Sequence, residues 1–462
     1  MKRLLLFISL FSLGLQPLRA QGLSLAEARR QALNHNHRAA QARESSNEAQ
    51  ATLKAARTHY LPKVAASAYA LYSSPGKTQQ LDLGTYPLPA SLLSGVQNVA
   101  QAYPALAPLL GALPTEINLP SVPYQVKTGN SYLLSAHLTQ PLYTGGKISA
   151  ANRMARTGVE MATLNEALTE DEICVSTDRA YWQLVEVNEL VRTAEAYVKA
   201  IDEAHRIVSE AVTAGMRTHA DRLRVEVERG KAQLAHERSL HGQRLAQMNL
   251  AQIMGLPLDT VLLPSESFPQ PRPVDDAAGQ VDTRPEYGLL QKQVELKKAN
   301  VSLVRSDFLP QLGLRVGYGY MRGLRINDHL LIDQASPSVM VSLNVPIFSW
   351  GEGRAKVKAA QAQVQKAALQ LQEMSEKMIL EQQQAIDHYK EQCLEVEITN
   401  RTVMQTEALL KQTHDRYEAG LDTTAELLEA ELIASQARSE HIAARSRLAL
   451  AETLLQKAMG RL

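Results

Sequence analysis

A handful of short stretches in this chain of 462 residues carry side chains of the kind that do chemistry. Asn34 to His37 reads NHNH, but no Cys or carboxylate stands at metal-ligand spacing from it, so a metal site is not indicated. Tyr143 to Lys147, YTGGK, has the glycines and lysine of a phosphate loop but neither its spacing nor its following Ser or Thr. Cys174 and Cys393 have no partner motif for nucleophilic catalysis. What remains is acidic. Asp221 closes AGMRTHAD, and Glu426 and Glu429 follow AGLDTTA three residues apart, on one helix face. Solvated helix faces are the plain reading of these acids, and no cofactor is called for.

The two Ala-Gly stretches lie 205 residues apart, Gly215 recurring as Gly420. The same offset carries Pro141 to Pro346, Gly146 to Gly351 and the Met-Gly pair ending at Gly255 to that ending at Gly460. A register held over more than a hundred residues marks an internal duplication. Upstream, HYLPKV pairs with DFLPQL at a larger offset, so the first copy carries an insertion within Ser73 to Asn130, rich in Pro, Leu, Ala and Gly.

Each copy reads helix, strand, loop, strand, long helix, turn, helix. The expected organisation is a signal segment at 1–20, a first repeat at 21–256, a Pro-rich linker at 257–285 and a second repeat at 286–462. In the first repeat, helix 24–58, strands 63–72 and 131–141 flanking the 73–130 insert, a long helix 147–212 and helix 218–254 are expected. The second has helix 286–306, strands 311–321 and 338–347, a long helix 352–417 and helix 423–459. Period two supports the strands: Leu312, Leu314, Val316, Tyr318 and Tyr320 share a face, with Gly313, Arg315, Gly317 and Gly319 opposite. Spacing by threes and fours supports the helices, as in Val191, Ala194, Val198 and Ile201. Helices of this length run on the order of 100 Å. The lengths predict helices 218–254 and 286–306 stacked end to end along the first long helix, and the carboxy-terminal helix stacked on the amino-terminal one. The repeat places Cys174 about 21 Å from Cys393 along neighbouring rods, which excludes a disulfide and leaves two buried thiols.

Hydrophobic residues make up 45% of the chain but aromatics only 5%, and Ala, Gln, Glu, Lys and Arg fill the long tracts, as in extended helices. Lys and Arg number 49 against 48 Asp and Glu, a balance that argues against a nucleic-acid partner. Lys2 and Arg3 followed by the apolar Leu4 to Leu15 read as a cleaved secretory signal. No later segment has eighteen consecutive apolar residues, so if the chain sits in outer-membrane lipid it does so with strands, the alternative being a soluble antiparallel sheet. Their length and alternation suit an outer-membrane barrel. Four strands cannot close, and lipid does not tolerate an open edge. Two copies would give a filled barrel, whereas three would give twelve strands around a bore.

The signal segment, the duplicated Leu-Pro and Pro-hydrophobic-aromatic motifs and the paired Ala-Gly turns resemble the TolC-like outer membrane factors of efflux and type I secretion. The resemblance implies a mixed α+β membrane protein: a homotrimer whose four strands per protomer build a 12-stranded outer-membrane β-barrel, continued by a periplasmic helical barrel. It also implies a passive exit duct, driven by an inner-membrane efflux pump or ABC transporter through a periplasmic adaptor. Gly215 and Gly420 become the adaptor-docking turns at a constricted periplasmic tip. Asp221, Tyr417, Glu426 and Glu429 become gate residues, the acids forming cation-attracting rings by threefold repetition. The family's arginine two residues after the second turn glycine is Asp422 here, whereas the first copy has Arg217. Pro141, Gly146, Pro346 and Gly351 would mark the strand-to-helix junctions. Tyr417→Phe with Asp221→Ala is expected to loosen the tip. The rival reading is a trimeric coiled-coil surface protein held by a small β-barrel anchor.

Overall fold

The structure, a computed structural model, describes residues 22–72, 79–124, 126–127, 130–274, 280–326 and 329–462. The expected signal segment lies outside them, as do parts of the insert. The helices are α1 (Leu25–His35), α2 (His37–Thr58), α3 (Ala90–Ala102), α4 (Ala107–Leu110), α5 (Lys147–Thr213), α6 (His219–Ile253), α7 (Pro285–Ser306), α8 (Glu352–Glu418) and α9 (Thr424–Ala458). The main sheet contains β1 (Lys63–Tyr72), β2 (Asn130–Tyr143), β3 (Gln311–Ile326) and β4 (His329–Asn344). Two compact units result. One is helical (Met1–Ala56, Ser149–Val304 and Arg354–Leu462) and the other carries the sheet (Arg57–Ile148 and Arg305–Gly353).

In the helical unit each long helix lies antiparallel to the short helices of its own repeat. Arg38 pairs with Glu172, and Asn152 Nδ2 donates to the Ala56 carbonyl, so α2 runs beside α5. Farther along, Tyr197 donates to Glu228, and Arg229 pairs with Asp202 at 2.6 Å, which sets α6 on α5. In the second repeat Arg284 of the α7 entry pairs with Glu381 of α8 at 2.9 Å, and Arg438 of α9 with Glu407 at 3.0 Å. The stacking predicted from lengths alone is therefore corrected. The end of α6 meets the α1–α2 junction, where Asn36 Nδ2 donates to the Ile253 carbonyl at 2.8 Å. The end of α9 meets the start of α7, with Gly460 against Thr283 and Arg284.

Two local causes explain the difference. The expected helix 24–58 breaks at Asn36, which has extended geometry and accepts from Arg38 N through its side chain, capping α2. The break lets Gly255 approach so closely that a Cβ there would sit 2.5 Å from the His35 carbonyl oxygen. The linker, meanwhile, crosses between repeats. Leu23 exchanges backbone hydrogen bonds with Leu263 and Ser265, and Phe268, 2% exposed, enters an aromatic cluster with Trp182 and Tyr181. Arg272 N then donates to Tyr389 Oη on α8. Burying Tyr181, Leu184, Ile173 and Leu250 stabilises this level by about 1.5 to 3 kcal/mol per side chain. Both thiols are half-buried rather than sealed in the core, and burial pushes Cys174 up to about 11.

In the strand unit β1, β2, β3 and β4 pair in that order, all antiparallel. The last two strands are longer than expected, forming a hairpin of sixteen residues a side. Pro337 falls inside β4, tolerated because β4 is an edge strand. The described part of the insert folds into short ladders, Gln79–Leu81 with Val122–Tyr124 and Thr85–Pro87 with Glu116–Asn118, around α3 and α4. It stands at the sheet end where Val126 pairs with Ile326.

Candidate functional site

At the first Ala-Gly turn, α5 ends in a Schellman motif: Gly215 at φ 75°, its N–H donating to Val212 O, and Met216 N to Ala211 O. The second turn repeats this with Gly420, also at φ 75°, donating to Tyr417 O, and Leu421 to Arg416 O. Nothing lies within 4 Å of a Cβ added at either glycine, so the requirement is conformational alone. Gly215→Ala or Gly420→Ala is expected to cost about 1 to 2 kcal/mol of local stability. Limited proteolysis at the turn would report it.

Immediately after each turn a capping box opens the next helix. Thr218 Oγ1 accepts from Asp221 N, and the Asp221 carboxylate accepts from Thr218 N at 3.1 Å and from its hydroxyl at 2.7 Å. Those hydrogen bonds hold the Asp221 carboxyl below its ordinary value. Thr423 and Glu426 do the same, with Thr423 N at 2.6 Å from the carboxylate. The acid six residues past each turn glycine thus occupies the third helical position of a capping box. Glu429, one turn on, is exposed and has no protein partner among the described residues.

The turns are joined to each other. Arg217 Nη2 donates to the Asp422 carbonyl at 3.0 Å, and its guanidinium lies 4.8 Å from the Tyr417 ring centroid. The Asp422 carboxylate receives Arg416, whose Nε donates at 2.9 and 3.0 Å. Tyr417 is 6% exposed, its hydroxyl 3.5 Å from Thr424 Oγ1. Arg217 and Tyr417 are brought together across the repeats, whereas Asp221 and Glu426 each serve their own helix. Arg416 escaped the sequence reading; its signal was an opposite charge on the far side of the turn from Asp422.

At the other end of the long helices Gly146, φ 88°, precedes α5 and Gly351, φ 85°, precedes α8. The prolines sit differently at the two junctions. Pro141 lies inside β2 at a bulge, and Pro346 lies beyond the end of β4. Gly145 has Trp350 as its repeat equivalent, a tryptophan held at φ 50° and 91% exposed, with Phe348 edge-on at 4.9 Å.

The register makes the sheet two-faced. One face carries Leu312, Leu314, Val316, Tyr318 and Tyr320 with Val339, Val341, Leu343, Leu134, Leu138 and Val64 beside them. The other carries Gly313, Gly317 and Gly319 with Ser342, Ser338, Ser336, Ser135 and Ser67. Ser67 and Ser135 hydroxyls are 2.8 Å apart. Such a pattern suits lipid on one side and water on the other.

A family model described as outer membrane efflux protein matches residues 28–256 and 284–461, two blocks that coincide with the two repeats. The chain belongs to the outer membrane efflux protein family. It is a protein of the outer membrane reaching into the periplasm, and its family works in export from the cell. It is 24% identical over 321 residues to the alkaline protease secretion protein AprF of Pseudomonas aeruginosa, covering 67% of this chain and 66% of that one. It is 23% identical over 337 residues to protein CyaE of Bordetella pertussis, 71% of each chain. The crystal structure of the Campylobacter jejuni CmeC outer membrane channel shares the fold, with TM-score 0.71 and 18% identity over 94% of this chain and 85% of that one.

Proposed function

We propose that three copies of this outer membrane efflux protein form an exit duct, a passive channel with no catalytic step, fed by an inner-membrane pump or ABC transporter through a periplasmic adaptor. The observation that carries this reading is the two-faced sheet, in which the outer edges of β1 and β4 have no strand partner among the described residues. Lipid penalises such edges, and joining β4 of one copy to β1 of the next satisfies both. A second support comes from α6, where Leu223, Leu234 and Leu245, eleven residues apart, are 48%, 52% and 65% exposed in the single chain. That stripe invites a neighbouring copy, and an eleven-residue period keeps it on one side of a near-straight helix. Trp350 and Phe348 fit a membrane–water interface, where amphipathic rings are favoured.

The turns at Gly215 and Gly420 are the adaptor-docking surface in this reading. Each exposes the apolar residue that follows, Met216 at 74% and Leu421 at 70%, on an otherwise polar end. Asp221, Tyr417, Glu426, Glu429 and Arg217 belong to a tip gate, with Glu429 the carboxylate left free to face the axis. The similarity to AprF, an alkaline protease secretion protein, favours a secretion assignment over small-molecule efflux. Purified protein should migrate as a trimer in detergent and conduct ions in planar bilayers. A soluble monomer without conductance would discard the duct.

A further inference from the structure

The water-facing side of the sheet is not neutral. Its long charged side chains near the helix-bearing end are Lys63 on β1 and Arg315 on β3, both exposed. They stand in one row, each directly opposite Thr139 of the intervening β2. Two strand spacings separate them, roughly 10 Å, about one screening length at physiological salt. Arg315 is flanked along its strand by Gly313 and Gly317, and Lys63 Nζ lies 3.3 Å from His59 Nδ1. The four strands carry a single carboxylate, Asp333, and it is on the opposite face, bonded to Tyr320 and 3.8 Å from Arg322. No acid among the described residues pairs with Lys63 or Arg315. A hollow of about 360 Å³ lies alongside, lined by His59, Lys63, Thr139, Gln311, Ser342 and Asn344.

Resting on the trimeric-duct reading, we propose that Lys63 and Arg315 form a ring of fixed cations in the barrel, a subsite for anionic groups such as phosphate or carboxylate on the solute in passage. Threefold repetition sets six positive charges around one level of the wall, in a row with Thr139 and Met340 and next to a row of Ala65, His137, Gly317 and Ser338. A low-dielectric wall concentrates that field in the bore, so anions enter it more readily than cations. The duct is then polarised, acidic where Glu426 and Glu429 stand and basic in the barrel. Solutes with exposed anionic groups are drawn through the last stage of exit.

The test adds inositol hexakisphosphate to the external side of single channels in planar bilayers at low salt. Wild-type conductance should be blocked in a voltage-dependent way. Lys63→Gln with Arg315→Gln should weaken the block at least tenfold and shift the reversal potential in a KCl gradient toward cation preference. Lys63→Arg with Arg315→Lys should restore both, and Glu426→Gln should leave the external block unchanged. Channels that conduct but are blocked equally in wild type and double variant overturn the subsite and leave the duct standing. Absence of conductance in every variant overturns the duct, and the subsite with it.

Discussion

Asp178→Ala is expected to lower the stability of the helical unit by about 3 kcal/mol, the cost of removing a buried carboxylate from an ion pair and leaving Arg29 and Thr453 without their acceptor. The Asp178 side chain is fully buried on α5. Arg29 of α1 holds it with two hydrogen bonds, Nε to Oδ1 at 2.7 Å and Nη2 to Oδ2, and Thr453 of α9 donates to Oδ2 at 2.7 Å. One carboxylate therefore ties three helices drawn from both repeats. The hydrogen bond to Asp178 also raises the Arg29 pKa. Thr453→Val removes one hydrogen bond and is expected to cost about 1 kcal/mol. Urea unfolding followed by the fluorescence of Trp182, which packs at the same level, would measure both. A midpoint unchanged by Asp178→Ala would refute the tie.

The legible parts of this fold are those written in local chemistry. Four glycines at the 205-residue offset announce the caps of α5, α6, α8 and α9, since a left-handed residue after a helix favours glycine wherever the helix packs. Thr218 with Asp221 and Thr423 with Glu426 have capping-box spacing, a signal that reading those acids as solvated faces or gate residues passes over. The period of two in Leu312 to Tyr320 assigns the faces of the sheet correctly. What hid was decided by tertiary contact. Asn36 breaks a helix inside a run of good helix formers because Gly255 and Ile253 dock there. β3 and β4 run past their expected ends through Arg322, Asp333 and Pro337, residues that argue against a strand unless an ion pair and an edge position are known. Arg284, 3% exposed, takes Glu286 and Glu381 from two helices, and neither spacing nor periodicity could join them.

At the paired Ala-Gly turns, the proposed gate, the structure changes which substitutions should matter. Tyr417→Phe removes only a hydroxyl 3.5 Å from Thr424, and Asp221→Ala removes half of a capping box. The ties between the two turns survive both. Arg217→Ala with Asp422→Ala removes the cation over the Tyr417 ring and the ion pair to Arg416. Arg416 is half exposed, so its pair contributes little, and the cation–π contact about 0.5 to 1 kcal/mol. In the proposed trimer a loss of about 1 kcal/mol per protomer is tripled by symmetry, and roughly 3 kcal/mol would shift a closed-to-open ratio about a hundredfold. Single-channel recording should then show a several-fold larger mean conductance in Arg217→Ala with Asp422→Ala, and a near wild-type trace in Tyr417→Phe alone. The opposite ranking would place the restraint at the Tyr417 hydroxyl and detach the two turns from gating.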